Sequence, residues 1–218
     1  MVVPNDLTEI LLTTEFQTQY AEHKVQSVLD LGCGNTLALA MIYHNHHPPK
    51  LVGIDQWEEW QILSCNETKP ASYGSLYDFY KHNLTPDGNE TRIAHAAEYR
   101  ELLGLRLGYS LEEFLRNCRE EYDLVICYDV LHYFQNRVAV QAALDGINRV
   151  LSSNGLFLIR VIESPGEEGT VWPVPYDYDF EAYERLAAEA LGQRTGFVKV
   201  SCAPHNGKRV WLLHNLSM

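Results

Sequence analysis

The fold of this 218-residue chain is decided by the stretch Val28-Leu29-Asp30-Leu31-Gly32-Cys33-Gly34-Asn35-Thr36. An apolar run that ends in an acid predicts a β-strand, and the residues from Leu37 to Tyr43 predict a helix. Between them stand two glycines separated by one residue, as is needed where φ is positive or where a ligand approaches the backbone closely. Strand, glycine turn and helix predict the first unit of a nucleotide-type α/β domain. The alternative is an ordinary strand-to-helix turn that happens to contain glycine.

A second short apolar run, Leu51-Val52-Gly53-Ile54-Asp55, also ends in an acid. Asp55 follows Gly34 by roughly 20 residues, and an acid at that spacing, at the end of the second strand, is placed to accept hydrogen bonds from both hydroxyls of a ribose. This second acid favours a nucleotide-type site over an ordinary turn.

The glycine stretch resembles the first motif of the class I S-adenosylmethionine-dependent methyltransferases, which has the form acid-x-Gly-x-Gly-x-Gly. The chain departs from this form at Thr36, which stands in the third glycine position. The dehydrogenase form Gly-x-Gly-x-x-Gly also fails, because Leu37 stands at its last glycine. The resemblance implies a three-layer, Rossmann-like α/β sandwich with a seven-stranded, mostly parallel sheet and one antiparallel strand from a C-terminal hairpin.

The segment from Tyr122 to Phe134, YDLVICYDVLHYF, resembles the fourth strand of this family and the residues that follow it. Its continuous apolar run suits a central parallel strand that helices cover on both faces. Ligands of open α/β sheets lie beyond the carboxyl ends of the strands, where Cys127 and Tyr128 stand. His132 follows them and is a candidate general base or substrate contact. The alternative is a helix residue that faces the next loop.

The resemblance implies that the cofactor is S-adenosylmethionine and that its product is S-adenosylhomocysteine. It places the backbone amides of residues 32–36 against the methionine carboxylate. It also places Asp30 at the turn or at the ammonium group of the cofactor, and Asp55 at the ribose. The reaction that follows is transfer of a methyl group from a sulfonium to a nucleophile, for which a base such as His132 is needed only if the acceptor must lose a proton.

The adenine end of the cofactor has two candidate contacts. Trp57 offers a large flat face for stacking, with a core tryptophan as the alternative. Glu98 stands just past a weak third strand over Thr91–Ala97 and resembles the family's acid for the adenine amine, with a plain surface glutamate as the alternative. The cofactor-binding candidates are therefore Asp30, Gly32, Cys33, Gly34, Asp55, Trp57, Glu98, Cys127 and Tyr128.

The substrate side of the site is predicted from the loop Glu163–Asp179, which is rich in proline, glycine and aromatic residues. It follows the carboxyl end of a fifth strand over Leu156–Ile162, so it can reach the pocket. A turn over residues 152–155, with Gly155 left-handed, precedes that strand. The candidate substrate residues are Tyr133, Trp172 and Tyr176; the alternative is a surface loop held by its own aromatic residues. Further on, Asn206-Gly207 predicts a hairpin between strands over residues 197–201 and 209–214.

The N-terminal residues 1–26 are interpreted as a helical cap, with one helix over residues 5–23, ahead of a cofactor-binding domain over residues 27–218. That helix either covers the cofactor mouth or packs on the sheet edge. The nearby His44, His46 and His47 invite a metal site. Histidine is also favourable at a helix C-terminus, and this second interpretation is preferred, so no metal is expected.

The amino-acid composition limits the classes of partner that the chain is expected to bind. The formal net charge is −12, and no cluster of Lys and Arg offers the basic face that a nucleic acid needs. An apolar run long enough to span a membrane is missing, and Met1–Asp6 lacks the features of a secretory signal. The 5 scattered cysteines suit reduced thiols in a cytoplasm. We therefore expect a small-molecule methyl acceptor and neither nucleic acid nor membrane.

Two other functions stay open. A nicotinamide-dependent oxidoreductase shares the first unit and Asp55, but its strands would remain parallel to the end of the sheet. A cofactor-binding or interaction protein of the same fold would keep the glycine turn without turnover.

Overall fold

The computed structural model of the protein describes residues 6–65, 73–84, 95–128, 130–131, 137–161 and 209–214. The helices are α1 Asp6–Leu11, α2 Thr14–Glu22, α3 Leu37–His46, α4 Glu59–Cys65, α5 Leu76–Leu84, α6 Ala96–Leu102, α7 Leu111–Asn117 and α8 Arg137–Val150. The strands are β1 Ser27–Leu31, β2 Lys50–Asp55, β3 Leu105–Leu107, β4 Tyr122–Tyr128, β5 Leu151–Val161 and β6 Arg209–His214. None of the helices within these ranges has the length and apolar character that a membrane crossing requires.

The six described strands form one sheet in the order β3-β2-β1-β4-β5-β6. The pairs from β3 to β5 are parallel, and β6 runs antiparallel to β5. This arrangement confirms the α/β class, the mostly parallel sheet and the antiparallel strand near the C-terminus. The partner strand expected over residues 197–201 lies outside the described residues, so the sheet is described with six strands.

The protein has three layers, a sheet with helices on each face, because the side chains of the central strands point alternately to the two faces. Successive side chains of a strand point to opposite faces, so a continuous apolar strand serves two cores. Leu29 and Val125 lie in the core that α7 and α8 complete. Val28 and Leu124 lie in the core on the other face, which the helices from α1 to α6 complete. Burial on both faces is the reason why β1 and β4 have so few polar residues.

The N-terminal segment differs from the single helix predicted over residues 5–23. It forms α1 and α2, which are separated at Thr13. The Thr13 hydroxyl donates to the Ile10 carbonyl at 2.8 Å and accepts from the Phe16 amide at 3.3 Å. One side chain therefore ends the first helix and caps the second. Leu11 and Phe16 are both 1% exposed in the core that contains α3, so these helices pack against the sheet domain.

The strand beside β2 lies later in the chain than the predicted Thr91–Ala97, and the last two residues of that segment are helical instead. Residues 91–94 lie outside the described part, and Ala96 begins α6 rather than ending a strand. The strand beside β2 is the three-residue β3. Gly104 precedes it with φ +55, and a Cβ there would lie 2.3 Å from the Leu51 carbonyl oxygen. A strand so short, placed by a turn against β2, has too little periodicity to be recognised from sequence.

The fifth strand begins earlier than predicted, because the expected turn over residues 152–155 belongs to β5. Tyr122 pairs with Leu151 while Leu124 pairs with Leu156, so β5 contains a large bulge here. The φ angle of Gly155 is not positive, so the left-handed conformation predicted for it is wrong.

Asp123 explains why the bulge forms at the amino ends of the strands. Its Oδ1 accepts from the Ser152 hydroxyl at 3.2 Å. Its Oδ2 accepts from the Gln26 amide at 3.0 Å, the Ser27 amide at 3.1 Å and the Ser27 hydroxyl at 2.9 Å. One carboxylate therefore ties β1, β4 and β5 together at the end opposite the glycine turn.

Candidate cofactor site

The glycine turn between β1 and α3 is a chain of left-handed residues. Gly32 has φ +75, Gly34 has φ +48 and Thr36 has φ +64. The Thr36 amide donates to the Cys33 carbonyl at 2.8 Å, which closes the turn before α3 begins. The two glycines accept this backbone without steric cost, whereas Thr36 is a β-branched residue in a conformation it rarely adopts.

Neighbouring strands hold the turn in place. The amides of Gly32 and Cys33 both donate to the Ile54 carbonyl of β2, at 2.8 and 3.0 Å. On the other side, a Cβ at Gly32 would lie 2.3 Å from the Cγ2 atom of Val130, just past β4. The backbone at Gly32 therefore passes between two elements where no side chain fits.

Asp55 joins the ends of three strands. Its Oδ2 accepts from the Gly34 amide and its Oδ1 from the Trp57 amide, both at 2.9 Å. Its own carbonyl accepts from the Tyr109 amide at 2.9 Å, just past β3. Asp55 is 7% exposed. Burial raises the pKa of its carboxyl group, while the hydrogen bonds from backbone amides act to lower that pKa. Asp55 is thus fixed at the place where the first and second units of the sheet meet.

Asp30 is a second buried acid at this end of the sheet. It is 2% exposed, and burial raises its pKa to about 8, with the nearby Asp55 carboxylate as the second cause. Within the part of the chain that the structure describes, neither acid has a Lys or Arg partner. Two adjoining buried acids without a cation form an environment that favours a positively charged ligand group.

Cys33 lies in the same environment and is 6% exposed. Burial raises the pKa of its thiol, and the charges of Asp30 and Asp55 raise it further. The thiol therefore stays neutral, because the thiolate would be a third anion in a buried place. Cys33 contributes its backbone and its volume to the turn rather than a nucleophile.

The remaining described candidates from β2 and β4 lie at the carboxyl edge of the sheet. Trp57 follows β2, is partly buried against the α1–α6 core, and accepts at its carbonyl from the Gly108 amide at 3.1 Å. Cys127 pairs with Leu31 across the strands and is 1% exposed. Tyr128 ends β4 and packs against the same core as Trp57. The structure brings these three residues to the same sheet edge as the glycine turn.

Glu98 has a different position from the one on which its role was predicted. It is exposed in the first turn of α6, before β3 rather than just past it. The residues just past β3 are Gly108 and Tyr109, which are bonded through their amides to Trp57 and Asp55. Sequence reasoning missed them because the third strand was assigned to the wrong segment. The contact of Glu98 with adenine stays a prediction, without the reason that supported it.

Several predicted residues lie outside the described part of the chain. These include the candidate general base and the candidate substrate contacts, namely His132, Tyr133, Trp172 and Tyr176. Just before His132, Val130 and Leu131 are buried in the α7–α8 core. The roles of the four residues stay predictions.

The histidines at the end of α3 have aromatic neighbours. His44 Nε2 is hydrogen-bonded to the Tyr80 hydroxyl, and the rings of His46 and Tyr20 stack at 3.9 Å. His47 meets Tyr43 edge-on at 5.3 Å. In the ranges that the structure describes, no group of at least three His, Cys, Asp or Glu side chains is arranged to hold a metal ion. These contacts support a structural interpretation of the histidines.

Comparison with known protein families identifies the family of this chain. A family model described as a methyltransferase domain matches residues 12–201. The chain belongs to the class I S-adenosylmethionine-dependent methyltransferases. Among curated protein sequences, no relative of this methyltransferase is found.

Solved structures share the fold of this methyltransferase at low sequence identity. The N-methyltransferase NodS from Bradyrhizobium japonicum is 13% identical with a TM-score of 0.57, over 98% of this chain and 99% of that one. An O-methyltransferase family protein from Burkholderia thailandensis is 14% identical with a TM-score of 0.55, over 97% of this chain and 55% of that one.

A third structure contains ligands. It is the 1,6-didemethyltoxoflavin-N1-methyltransferase from Burkholderia thailandensis, with bound 1,6-didemethyltoxoflavin and S-adenosylhomocysteine. It is 17% identical with a TM-score of 0.56, over 92% of this chain and 76% of that one. The chain thus spans about half of the O-methyltransferase family protein but most of the two N-methyltransferases.

Proposed function

We propose that this methyltransferase transfers the methyl group of S-adenosylmethionine to a small-molecule acceptor. The observation that carries the proposal is the bond between the Asp55 carboxylate and the Gly34 amide. It joins the glycine turn to the acid of the second strand in one rigid unit, at the sheet edge where ligands of open α/β sheets bind.

The methionine end of the cofactor fits the turn. Gly34 leaves the backbone open, since a Cβ there would have its nearest neighbour 3.9 Å away, and the Asn35 amide has no acceptor among the described residues, so it can donate to a carboxylate. Asp30 lies beside the turn, where its carboxylate would receive the ammonium group of the ligand. A cation suits this place, because the buried carboxyl group has only another acid, Asp55, as its charged neighbour among the described residues.

The nucleoside end fits the carboxyl end of β2. The Asp55 carboxylate accepts from the Gly34 and Trp57 amides and still has lone-pair capacity for a ribose hydroxyl. Trp57 follows with a partly buried indole that would lie against the adenine. Tyr109, which stands just past β3, is the neighbour of this end in place of the acid that Glu98 was expected to provide.

When bound, S-adenosylmethionine supplies a methyl carbon to which the acceptor forms a bond while the carbon–sulfur bond breaks and leaves its electrons on sulfur. Holding the two reactants in line can lower the barrier by about 7–11 kcal/mol without any base. His132 would remove the acceptor's proton where the acceptor has one to lose. Tyr133, Trp172 and Tyr176 would form the walls around the acceptor.

A small acceptor is supported by charge and by analogy. The net charge of −12 disfavours a nucleic acid, whose phosphates need a basic surface. The toxoflavin-type methyltransferase holds a small heterocycle, and this methyltransferase covers 76% of its length. In the described part of the chain Cys33, Cys118 and Cys127 form no disulfide, which suits a reducing compartment, and we propose a cytoplasmic location.

Calorimetric titration of the purified chain tests the proposal. We expect binding of S-adenosylmethionine and S-adenosylhomocysteine, and none of NAD or NADP. Asp55→Ala should abolish binding, whereas Asp145→Ala, which removes an exposed carboxylate of α8, should leave it unchanged. Binding of NAD instead would favour the oxidoreductase alternative. The antiparallel strand β6 is evidence against that alternative.

Turnover separates the enzyme from a non-catalytic protein of the same fold. Incubation with methyl-labelled S-adenosylmethionine and a library of small amines, phenols and thiols should give a labelled product and S-adenosylhomocysteine. Tight cofactor binding without label transfer to any class of acceptor, protein and nucleic acid included, would favour the non-catalytic alternative. Transfer to a macromolecule alone would overturn the small-molecule assignment.

A further inference from the structure

Thr36 is an unusual residue at the end of the glycine turn. It is fully buried, with φ 64 and ψ 3, although a β-branched side chain rarely adopts the left-handed region. It also occupies the N-cap position of α3 without capping it, because its side chain makes no bond to a helix amide. Asn35 takes that part instead, since its Oδ1 accepts from the Leu37 amide at 3.2 Å. The Thr36 hydroxyl is therefore directed elsewhere.

Two hydrogen bonds use this hydroxyl. It donates to the Asn35 carbonyl at 2.6 Å and lies 2.6 Å from the phenol oxygen of Tyr99. Because a hydroxyl has one hydrogen, Tyr99 is the donor to Thr36 when Thr36 donates to Asn35. The Asn35–Thr36 peptide is thus held at both ends, through its carbonyl by this relay and through its N–H by the Cys33 carbonyl at 2.8 Å.

Tyr99 is itself held firmly. It is fully buried on α6, and its ring lies 4.8 Å from that of Tyr80 and 5.9 Å from that of Tyr77, both on α5. Burial raises the pKa of its phenol, so the donating hydrogen is present at neutral pH. A rigid donor therefore reaches the turn from a helix that does not belong to the first unit.

We propose that Tyr99 is a positioning residue of the cofactor site, which holds Thr36 left-handed and thereby fixes the peptide planes that face the methionine carboxylate. The inference rests on the proposed function, because the turn has this role only if the ligand is S-adenosylmethionine. It deepens that function by assigning to Tyr99 and Thr36 together the task that a third glycine performs by its conformational freedom alone.

The test compares two phenol deletions in one aromatic cluster. Tyr99→Phe removes the hydroxyl that reaches Thr36, and Tyr80→Phe removes the one that reaches His44 near the other end of α3. Both should lower the melting temperature. Only Tyr99→Phe should also weaken S-adenosylhomocysteine binding, by roughly 3- to 10-fold, which corresponds to one hydrogen bond. Equal binding by Tyr99→Phe and the parent would overturn the inference.

A second cycle tests whether the effect passes through Thr36. Thr36→Gly supplies a residue that adopts positive φ without a hydroxyl. In that background Tyr99→Phe should change the dissociation constant of S-adenosylhomocysteine by less than 2-fold, so the two substitutions are coupled. The same loss of affinity in both backgrounds would mean that Tyr99 acts by packing alone, and the inference would be wrong.

Failure of the proposed function gives a different result. If the parent binds no S-adenosylhomocysteine, the function proposed above fails for all variants alike. Amide hydrogen exchange of the ligand-free proteins then decides the inference, since Tyr99→Phe should speed exchange at Gly34–Thr36 while Tyr80→Phe should not. Unchanged exchange in the turn of Tyr99→Phe would count against a positioning role.

Discussion

The Asp55 carboxylate accepts a hydrogen bond of 2.9 Å from the backbone amide of Gly34. An acid at the end of one strand therefore sets the conformation of the loop that follows another. The same carboxylate accepts from the Trp57 amide at 2.9 Å. Asp55 thus has a structural task within the turn in addition to the contact proposed with the cofactor.

Asp55→Asn is expected to separate these tasks only in part. The oxygen of the asparagine side chain can accept from one of the two backbone amides, Gly34 or Trp57. Its NH₂ group then faces the second amide and cannot accept from it. The lost bond should cost about 1–3 kcal/mol of stability. Affinity for S-adenosylhomocysteine should fall at least about tenfold, which is 1.4 kcal/mol. Urea unfolding and calorimetry measure the two effects, and unchanged affinity would contradict the ribose assignment.

Asp30 should make the ligand-free protein less stable as the pH rises. Its pKa is raised to about 8 in the folded state, whereas the unfolded pKa is about 3.9. Between these values the folded state binds more protons, so the free energy of unfolding falls with pH by up to about 1.4 kcal/mol per unit. Below the unfolded pKa this loss disappears, since both states are protonated.

Asp30→Asn isolates this contribution, because an amide does not titrate. The stability of the variant relative to the parent should increase from pH 5 to pH 8, in urea unfolding without ligand. Its affinity for S-adenosylmethionine should be lower than that of the parent at pH 8, where the parent carboxylate can pair with the ammonium group. Parallel stability curves for the two proteins would show that Asp30 titrates normally.

Gly32→Ala should destabilise the protein more than Gly34→Ala. Both glycines have positive φ, which costs about 1–2 kcal/mol for alanine. At Gly32 the new Cβ would also lie 2.3 Å from Val130, whereas at Gly34 the nearest neighbour, the Gly32 carbonyl oxygen, would be 3.9 Å away. Overlap in a packed core adds about 1–3 kcal/mol. Equal losses of unfolding free energy in the two variants, measured by urea unfolding, would mean that the segment after β4 shifts easily to accommodate the new methyl group.

Asp123→Ala should lower stability without changing cofactor affinity. The carboxylate bonds to Gln26, Ser27 and Ser152 at the amino ends of the strands. Losing these charge-assisted bonds should cost about 2–4 kcal/mol. Asp145→Ala on the exposed side of α8 is the control, with a change expected within about 0.5 kcal/mol. A large change in S-adenosylhomocysteine affinity for Asp123→Ala would indicate coupling between the two ends of the sheet.

The sequence allowed prediction of those parts that rest on strong local patterns. The apolar runs of β1, β2 and β4 are buried on both faces, so their composition is unambiguous. The start of α7 also has a local cause, since the Ser110 hydroxyl accepts from the Glu113 amide at 3.3 Å, and a serine three residues before a glutamate is a known helix-start pattern. These elements are recognisable because neighbours in sequence determine them.

The parts that could not be predicted depend on distant contacts. The break at Thr13 lies within an otherwise helical pattern, and β3 is too short to show a period. The bond between Thr36 and Tyr99 joins residues 63 positions apart. The only local sign of it was Thr36 itself, a residue poorly suited to the third glycine position. Such a misfit indicates that support from elsewhere is needed, but not which residue gives it.

The two N-terminal helices affect how the protein can be shortened. Leu11 and Phe16 lie in the same core as Val28 of β1 and Leu39 of α3. A truncated chain that began at Ser27 would expose this apolar surface to water, and such surfaces drive aggregation. Limited proteolysis aimed at a minimal catalytic fragment should therefore spare residues 6–26, since they are part of the folded unit that carries the glycine turn.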